Sequence, residues 1–413
     1  MTKSDNNDKL FVKDASDMMD DKEFLDLVRQ TKFDLAVVDS FPLSRILFIL
    51  PYALDIPFVS VTTGYELGLM RIPFFPSFLP MQISGFSHKM DFKERCINTF
   101  FHLILATMPF KNNKDETLIQ KYASHKGVKS WNDIARQSLL YFVNLEPVLN
   151  YPIPSMPHII YTGGLSTKPA KPLPNDLKNI MDTAKDGVIL LSFGSITTFL
   201  PQEISRKFAE AFAKIPQTVI WKQTGSFDFP VSKNVKLMKW IPQNDILGHP
   251  NTRVFITHSG NNGQYEVLYH GVAMLAFYIF GDQPYNAARV EFKGFGKKMD
   301  LKNFQVDELV DNLKELLNNE KYSKNIKKAS AIFKDQPLPP KEKAAYWIEH
   351  VLKYGGSHLR SHALDLPWYQ YLMLDILALL GFILLVLFLL IIFIIYLCKR
   401  VCRSSSGRKE KQN

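Results

Sequence analysis

Residues 240–283 read WIPQNDILGHPNTRVFITHSGNNGQYEVLYHGVAMLAFYIFGDQ, and this stretch decides the fold of the chain. Residues 253–257 alternate as a short buried strand does, and residues 258–263, HSGNNG, are small or polar and precede an apolar helical pattern. The order of strand, tight turn and helix is typical of an open α/β sheet, which binds ligands at the carboxyl ends of its strands. The segment therefore predicts an α/β domain with a ligand site at this turn.

The turn suits an anionic ligand. Small residues let backbone amides at a helix N-terminus approach a phosphate closely, and the helix dipole favours negative charge there. His258 adds a side-chain donor, and Glu266 in the following helix is placed to accept hydrogen bonds from a ribose diol. Trp240 offers a flat face for a base, with Gln243 as a polar reader of its edge. Each of these residues taken singly is more often a core or surface residue, so the prediction depends on their shared order and spacing.

The segment closely resembles the donor-site signature of the UDP-glycosyltransferases, the family that contains the UDP-glucuronosyltransferases. The residues that fall where the family has them are Trp240, Gln243, His258, Gly260, Asn262, Gly263, Glu266, Asp282 and Gln283. The resemblance implies that Trp240 and Gln243 hold uracil, and that His258 and the amides near residues 260–263 hold the diphosphate. It further implies that Glu266 binds the ribose, and that Asp282 and Gln283 bind the sugar hydroxyls.

Two departures from the family pattern leave the donor open. Ala273 and Tyr278 stand where the family usually has proline, and we expect them to soften two turns near the sugar pocket. Asp282 and Gln283 serve hydroxyls common to glucuronate and glucose, and no residue clearly marks a carboxylate partner. The donor is therefore UDP-glucuronate or UDP-glucose. It is a co-substrate, and we expect neither a cofactor nor a metal.

The rest of the chain is predicted to form two α/β halves. An apolar strand over residues 33–38 ends at Asp39, and a helix over residues 43–54 and a strand over residues 58–61 follow. The second half opens with a buried strand over residues 188–192 and the turn Gly194–Ser195, where the amides, with Ser195, would face the donor crevice.

The resemblance extends over nearly the whole chain from residue 33 and implies the α/β glycosyltransferase B fold. This fold has two Rossmann-like domains, of which the N-terminal one is incomplete here, and one C-terminal transmembrane helix is added. The predicted parts are a partial acceptor-binding domain (1–165), a Pro-rich linker (166–180), a UDP-sugar-binding domain (181–345), a connecting helix and juxtamembrane segment (346–371), a transmembrane helix (372–398) and a basic tail (399–413).

Composition and charge point to a membrane protein rather than a nucleic-acid-binding one. Half of the formal net charge of +10 lies in the short tail, which carries six basic residues and one acidic residue after position 398. Residues 376–398 carry no charge, and about 23 residues at a rise of about 1.5 Å span about 34 Å, enough for a bilayer core. The positive-inside rule predicts a cytosolic tail and a luminal globular part. Lys409 and Lys411 stand at the positions of a dilysine retrieval signal, which favours the endoplasmic reticulum membrane.

Asp39 is the candidate catalytic residue. An aspartate at the end of a strand is commonly a helix cap. In the resembled family, however, the aspartate at this position orients a catalytic histidine that takes the proton of the acceptor hydroxyl. The oxygen then attacks the anomeric carbon with inversion, and His258 and the amide turn stabilise the leaving UDP. Phe74, Phe75, Phe78 and Phe86 suggest an apolar, aromatic pocket for a small lipophilic acceptor, without naming a molecule.

The start of the chain lacks two features of the family. No histidine precedes His88, and MTKSDNNDKL has no apolar core of a secretory signal. We expect that the signal, the first strand and the first helix are missing from this sequence. Two hypotheses follow: an enzyme with its base in upstream sequence, or a non-catalytic paralogue that binds UDP-sugar or associates with active family members as a homo- or hetero-oligomer. A histidine in upstream coding sequence would favour the first.

Overall fold

The computed structural model describes residues 3–41, 44–73, 75–107, 116–127, 130–195 and 200–409. By internal contacts the chain forms one compact unit over residues 1–361 and a second over residues 362–413. The first unit contains two parallel β-sheets, each surrounded by helices.

The smaller sheet has four parallel strands in the order β1-β2-β3-β4. β-branched and aromatic residues favour these strands, and all five residues of β2, FVSVT, are buried or half-buried. Its elements are α1 (Lys3–Asp20), α2 (Lys22–Thr31), β1 (Ala36–Asp39), a 3₁₀ helix (Arg45–Phe48), α3 (Ile49–Ala53), β2 (Phe58–Thr62), α4 (Leu67–Met70), α5 (Phe92–Thr107), α6 (Glu116–Ala123), a 3₁₀ helix (Ser124–Lys126), α7 (Trp131–Ala135), β3 (Tyr141–Val143) and β4 (Ile159–Tyr161).

The larger sheet has six parallel strands in the order β10-β9-β8-β5-β6-β7. Its elements are α8 (Asn175–Thr183), β5 (Val188–Ser192), α9 (Gln202–Phe212), β6 (Thr218–Lys222), β7 (Val235–Met238), α10 (Gln243–Leu247), β8 (Thr252–Thr257), α11 (Asn261–His270), β9 (Ala273–Tyr278), α12 (Gln283–Phe292), β10 (Gly296–Asp300), α13 (Val306–Asn318) and α14 (Glu320–Lys334). Helix α15 (Pro340–Tyr354) follows in the chain but packs on the smaller sheet, where its Val351 shares a core with Val59 and Phe142. A 3₁₀ helix (Ser357–Leu359) completes the first unit.

Both faces of the larger sheet are covered, as expected for parallel strands. Ile189 and Leu191 of β5 point into a core shared with α9 and α13, whereas Val188 and Leu190 point into a core shared with α11, α12 and α14. This alternation explains why VILLS is apolar throughout and is buried along its whole length. The carboxyl ends of β5 and β8 therefore emerge between two helical layers.

Several sequence predictions need adjustment at their boundaries. The predicted helix over residues 43–54 is a 3₁₀ helix followed by the short α3. Helix α8 begins at Asn175 within the segment predicted as linker, and its Leu177 packs in the core of the larger sheet. Ala273 and Tyr278, predicted to soften two turns, are instead the first and last residues of β9 and pair with its neighbouring strands.

The N-terminal helices were not predicted. Asp21 caps α2 by accepting a hydrogen bond from the Phe24 amide at 3.0 Å. Ala15 and Met19 of α1 are buried against the core of the smaller sheet.

The second unit consists of a 3₁₀ helix (His362–Leu364), the short α16 (Trp368–Tyr371) and the long α17 (Leu374–Lys409). The segment Leu374–Arg400, 27 residues long, is apolar enough to cross a membrane and is not buried by protein. At about 1.5 Å per residue it exceeds the hydrocarbon thickness of a bilayer, so α17 fits a single-pass membrane protein.

Candidate functional site

The predicted phosphate turn joins β8 to α11 at the carboxyl edge of the larger sheet. Ser259 adopts a left-handed conformation with φ of 65° and is fully buried. Its Oγ donates to the carbonyl of Phe277 at 2.7 Å, and its own carbonyl accepts from Nδ2 of Asn286 at 3.0 Å. These bonds hold a backbone conformation that is uncommon for a residue with a side chain. The turn is therefore rigidly placed, and α11 begins directly after Gly260.

The imidazole of His258 lies against two glycines. A β-carbon added to Gly260 would be 2.4 Å from Nε2, and one added to Gly194, in the turn after β5, would be 2.8 Å from Cε1. Burial lowers the pKa of His258, and the charge of Asp282 opposes this shift only in part. Nδ1 is buried without a hydrogen-bond partner. The ring is thus neutral near pH 7, with one nitrogen free to donate or accept.

Gln243 and Glu266, predicted to read the base and the ribose, lie side by side. Nε2 of Gln243 donates to Oε2 of Glu266 at 2.5 Å. Burial raises the pKa of Glu266. Gly263 borders this pair, since a β-carbon there would be in ordinary van der Waals contact with Nε2 of Gln243, at 3.8 Å. Trp240, with 72% of its surface exposed, lies three residues before Gln243 and presents its ring to solvent.

Asp282 and Gln283, predicted to bind the sugar, begin α12. Oδ2 of Asp282 accepts from Nδ2 of Asn286 at 2.7 Å, and the Asp282 side chain is otherwise exposed. Oε1 of Gln283 accepts from the amides of Ile279 and Phe280 at 2.8 and 3.1 Å. Oε1 of Gln283 is therefore bonded within its own loop, and Nε2 is the side-chain atom that can donate to a ligand.

Asn262 connects the donor turn to the smaller sheet. Asn144 directly follows β3, and its Nδ2 donates to Oδ1 of Asn262 at 3.2 Å. The carbonyl of Asn144 accepts from Tyr265 Oη of α11 at 3.2 Å. The carboxyl end of β3 thus meets the N-terminus of α11, which places the carboxyl edges of the two sheets against one another. Ser195, the other predicted residue, is exposed directly after Gly194.

Asp39 caps its own turn. Oδ1 accepts from the amide of Phe41 at 2.9 Å, and Oδ2 accepts from Oγ of Ser44 at 3.2 Å. Among the described residues, no imidazole is hydrogen-bonded to Asp39. His88 is wedged between the rings of Tyr151 and Phe292, with centroid distances of 4.9 and 4.6 Å.

Three residues that contact the site were not predicted from the sequence. Asn286 and Arg289 follow Asp282 at helical spacing, so polar residues on one face of α12 were the available signal. Asn144 had no comparable signal, since its role depends on partners more than 100 residues away along the chain.

A family model described as "UDP-glucoronosyl and UDP-glucosyl transferase" matches residues 1–412. UDP-glucuronosyltransferase 2C1 of Oryctolagus cuniculus is 36% identical over 399 residues, which cover 94% of this chain and 79% of that protein. The family match thus begins at residue 1, upstream of residue 33, where the resemblance was expected to start.

Among solved structures, the glycotransferase of kitacinnamycin superposes with a TM-score of 0.58 at 18% identity and covers 85% of this chain and 83% of its own. The spinosyn forosaminyltransferase SpnP superposes with a TM-score of 0.59 at 16% identity and covers 86% and 84%. At such identities the likeness concerns the fold alone. It confirms the predicted glycosyltransferase B fold with two Rossmann-like sheets.

Proposed function

We propose that this chain, which belongs to the family of UDP-glucoronosyl and UDP-glucosyl transferases and is a UDP-sugar glycosyltransferase, holds its donor along the carboxyl edge of the larger sheet. Uracil stacks on Trp240 beside Gln243, the ribose binds Glu266, and the diphosphate lies at the turn of residues 258–263. The sugar binds Asp282 and the amide group of Gln283, with Ser195 at the rim. The observation that carries this assignment is the half-buried ring of His258, which lies against Gly194 and Gly260 beside the N-terminus of α11.

The chemistry follows from these positions. The oxygen of the acceptor hydroxyl forms a bond to the anomeric carbon, the bond from that carbon to the β-phosphate oxygen breaks, and the hydroxyl proton goes to a base. Negative charge grows on the departing UDP, where the first amides of α11, which have no partner within the helix, and the His258 ring stabilise it. The configuration inverts, and no metal takes part. The role of Asp39 in orienting a catalytic imidazole stays a prediction.

The donor and acceptor are proposed by class. The similar proteins are named UDP-glucuronosyltransferases, and the family description also includes glucosyl transfer, so the donor is UDP-glucuronate or UDP-glucose. The acceptor is a small lipophilic molecule. Phe75 and Phe78 support this, since their rings stack at a centroid distance of 5.7 Å and are 49% and 39% exposed. Phe74 lies outside the described residues.

The test measures transfer and binding in the same preparation. The full chain is expressed in membranes and supplied with labelled UDP-glucuronate or UDP-glucose and a panel of phenols, and UDP binding is measured in parallel. We expect transfer from one of the two donors, and a higher UDP Kd with slow residual transfer in His258→Ala. UDP binding without transfer would refute catalysis by this chain and leave a donor-binding protein. Neither binding nor transfer would refute the donor site.

We propose that the globular part faces the lumen of the endoplasmic reticulum and the tail faces the cytosol. The charge difference across α17 supports this orientation. The chain contains no Asn-x-Ser/Thr acceptor, but Glu320→Thr creates one at Asn318, the exposed last residue of α13. Glu320 forms only an exposed ion pair with Lys324, so little stability is lost. A glycosidase-sensitive mass increase is expected; an unmodified variant would contradict the luminal orientation.

A further inference from the structure

Helix α12 carries a buried cation that the proposed donor site does not use. Arg289 is 1% exposed. Its Nε donates to Oε1 of Gln264 at 2.8 Å, and its Nη2 donates to Oδ1 of Asn261 at 2.6 Å. Both partners belong to α11. Within the part of the chain that the structure describes, no carboxylate forms an ion pair with this guanidinium. Its Cζ lies 5.9 Å from the ring centroid of Tyr285, and the carboxylate whose charge acts on it is Asp282, at the start of the same helix.

A buried guanidinium without a carboxylate partner is costly. The ion loses its hydration, and neutral amide oxygens replace that hydration only in part. Burial lowers the pKa of Arg289, but an arginine side chain stays protonated at neutral pH. The charge is therefore present and incompletely neutralised, and an anionic ligand can supply the missing negative charge.

The contacts of Arg289 lead directly to the donor turn. Asn261 is the first residue of α11, so the guanidinium is bonded to the first turn of that helix. Nε2 of Gln264 donates to the carbonyl of Asn286 at 3.1 Å. Nδ2 of Asn286 in turn donates to the carbonyl of Ser259 at 3.0 Å. One buried network thus joins the cation to both sides of the turn.

We propose that Arg289 is a positioning residue of the donor site, which fixes the first turn of α11 and supplies a buried positive charge that the donor diphosphate neutralises. This inference rests on the proposed function, because it places the diphosphate at residues 258–263. The proposed role predicts different effects on the binding of UDP and of uridine, which a purely structural role does not. UDP is an anion and uridine is neutral, so removing the charge weakens UDP and leaves uridine almost unaffected.

The experiment measures the dissociation constants of UDP and uridine for the full chain in membranes. Arg289→Met removes the charge and keeps an unbranched apolar stem. Gln264→Glu is nearly isosteric and places a carboxylate on Nε of Arg289, so it neutralises the charge in place while giving up the bond that Nε2 of Gln264 donates to the carbonyl of Asn286. We expect the UDP Kd to rise about tenfold in each variant, which corresponds to about 1.4 kcal/mol. The uridine Kd should stay within about twofold of wild type, and in transfer assays the KM of the donor should rise while that of the acceptor stays constant.

The matched control is Arg253→Met. Arg253 is exposed at the amino end of β8, the opposite end of the strand from the donor turn. This variant loses the same net charge, and its ratio of UDP to uridine affinity should equal that of wild type.

Two results would overturn the inference: equal weakening of UDP and uridine, or an unchanged UDP Kd. If Arg289→Met lowers the unfolding temperature, Gln264→Glu decides, since an acidic residue near a helix N-terminus paired with a cation is tolerated. A wild-type chain that does not bind UDP at all would refute the donor site itself. If the wild type binds UDP and only the variants lose the preference for UDP over uridine, the result bears on Arg289 and not on the donor site.

Discussion

Replacing Gly260 by alanine should disable the donor site while the protein stays folded. The new β-carbon would be 2.4 Å from Nε2 of His258 and 2.8 Å from its Cε1. Ordinary van der Waals contact begins at 3.4 Å, so the ring or the turn has to move by about 1 Å. Gly194 borders the same ring, which limits the directions in which the ring can move.

The cost to stability is modest and can be bounded. Gly260 has φ of −63° and ψ of 139°, a conformation that alanine adopts without strain. Overpacking costs about 1–3 kcal/mol, and the lower entropy of the unfolded chain offsets about 0.4–1 kcal/mol of it. A displacement of about 1 Å in a catalytic group, in contrast, lowers the rate about 100-fold, or about 2.7 kcal/mol. We therefore expect kcat/KM for the donor to fall about 100-fold.

The assay is initial-rate transfer with varied donor, together with thermal unfolding. Gly85→Ala is the control, because a β-carbon at Gly85 has no heavy atom within 4 Å, and it should behave as wild type. In a His258→Ala background, Gly260→Ala should cost little more, since both act through the same ring. A Gly260→Ala variant with kcat/KM within threefold of wild type, or fully additive losses in the double variant, would refute the reasoning.

Three further variants probe the site. Trp240→Ala should weaken the binding of UDP and of uridine equally, by about 1–3 kcal/mol of lost base stacking. The unfolding temperature should change little, because the ring is 72% exposed. Titration of both ligands, with Leu237→Ala as the control variant, checks this. In the absence of donor, Glu266→Gln should raise the unfolding temperature above that of wild type, and the difference should grow as pH rises. Burial raises the pKa of Glu266 above its ordinary 4.5, so ionising this carboxyl costs more in the folded than in the unfolded chain. The stability of the wild type is therefore fully present below pH 4.5 and falls above it. The unfolding temperatures of variant and wild type should converge near pH 4 and diverge toward pH 7. An unchanged difference across this range, or unaltered donor KM in Glu266→Gln, would contradict this account. The backbone amide of Gly164 donates to Oδ1 of Asn144 at 3.0 Å, and Asn144→Ala removes this acceptor. The free energy of unfolding, measured by denaturant titration, should fall by about 1–3 kcal/mol. Asn144→Asp should keep this bond.

The local pattern of the chain predicts the elements around the donor turn closely. The strand expected over residues 188–192 is β5 (Val188–Ser192), and the strand expected over residues 253–257 is β8 (Thr252–Thr257). Apolar runs bounded by glycine turns carry this information locally, because side chains in strands alternate between faces and turns require particular residues. The apolar run near the C-terminus likewise predicts α17. The 3₁₀ helix at residues 45–48 was not predicted from the local pattern. Its Arg45 is bonded to Asn132 of α7, a tertiary contact that no local periodicity encodes.

Sequence by itself determined which residues are available to the donor site and the order in which they follow the strands. Tertiary structure decided which of them meet. His258 lies against Gly194, 64 residues away in sequence, and Asn144 bonds Asn262 across 118 residues. Arg289 became part of the site only through its contacts with α11. Such pairs follow from the order in which strands assemble into a sheet and from how two sheets meet, and no local periodicity encodes contacts over that separation.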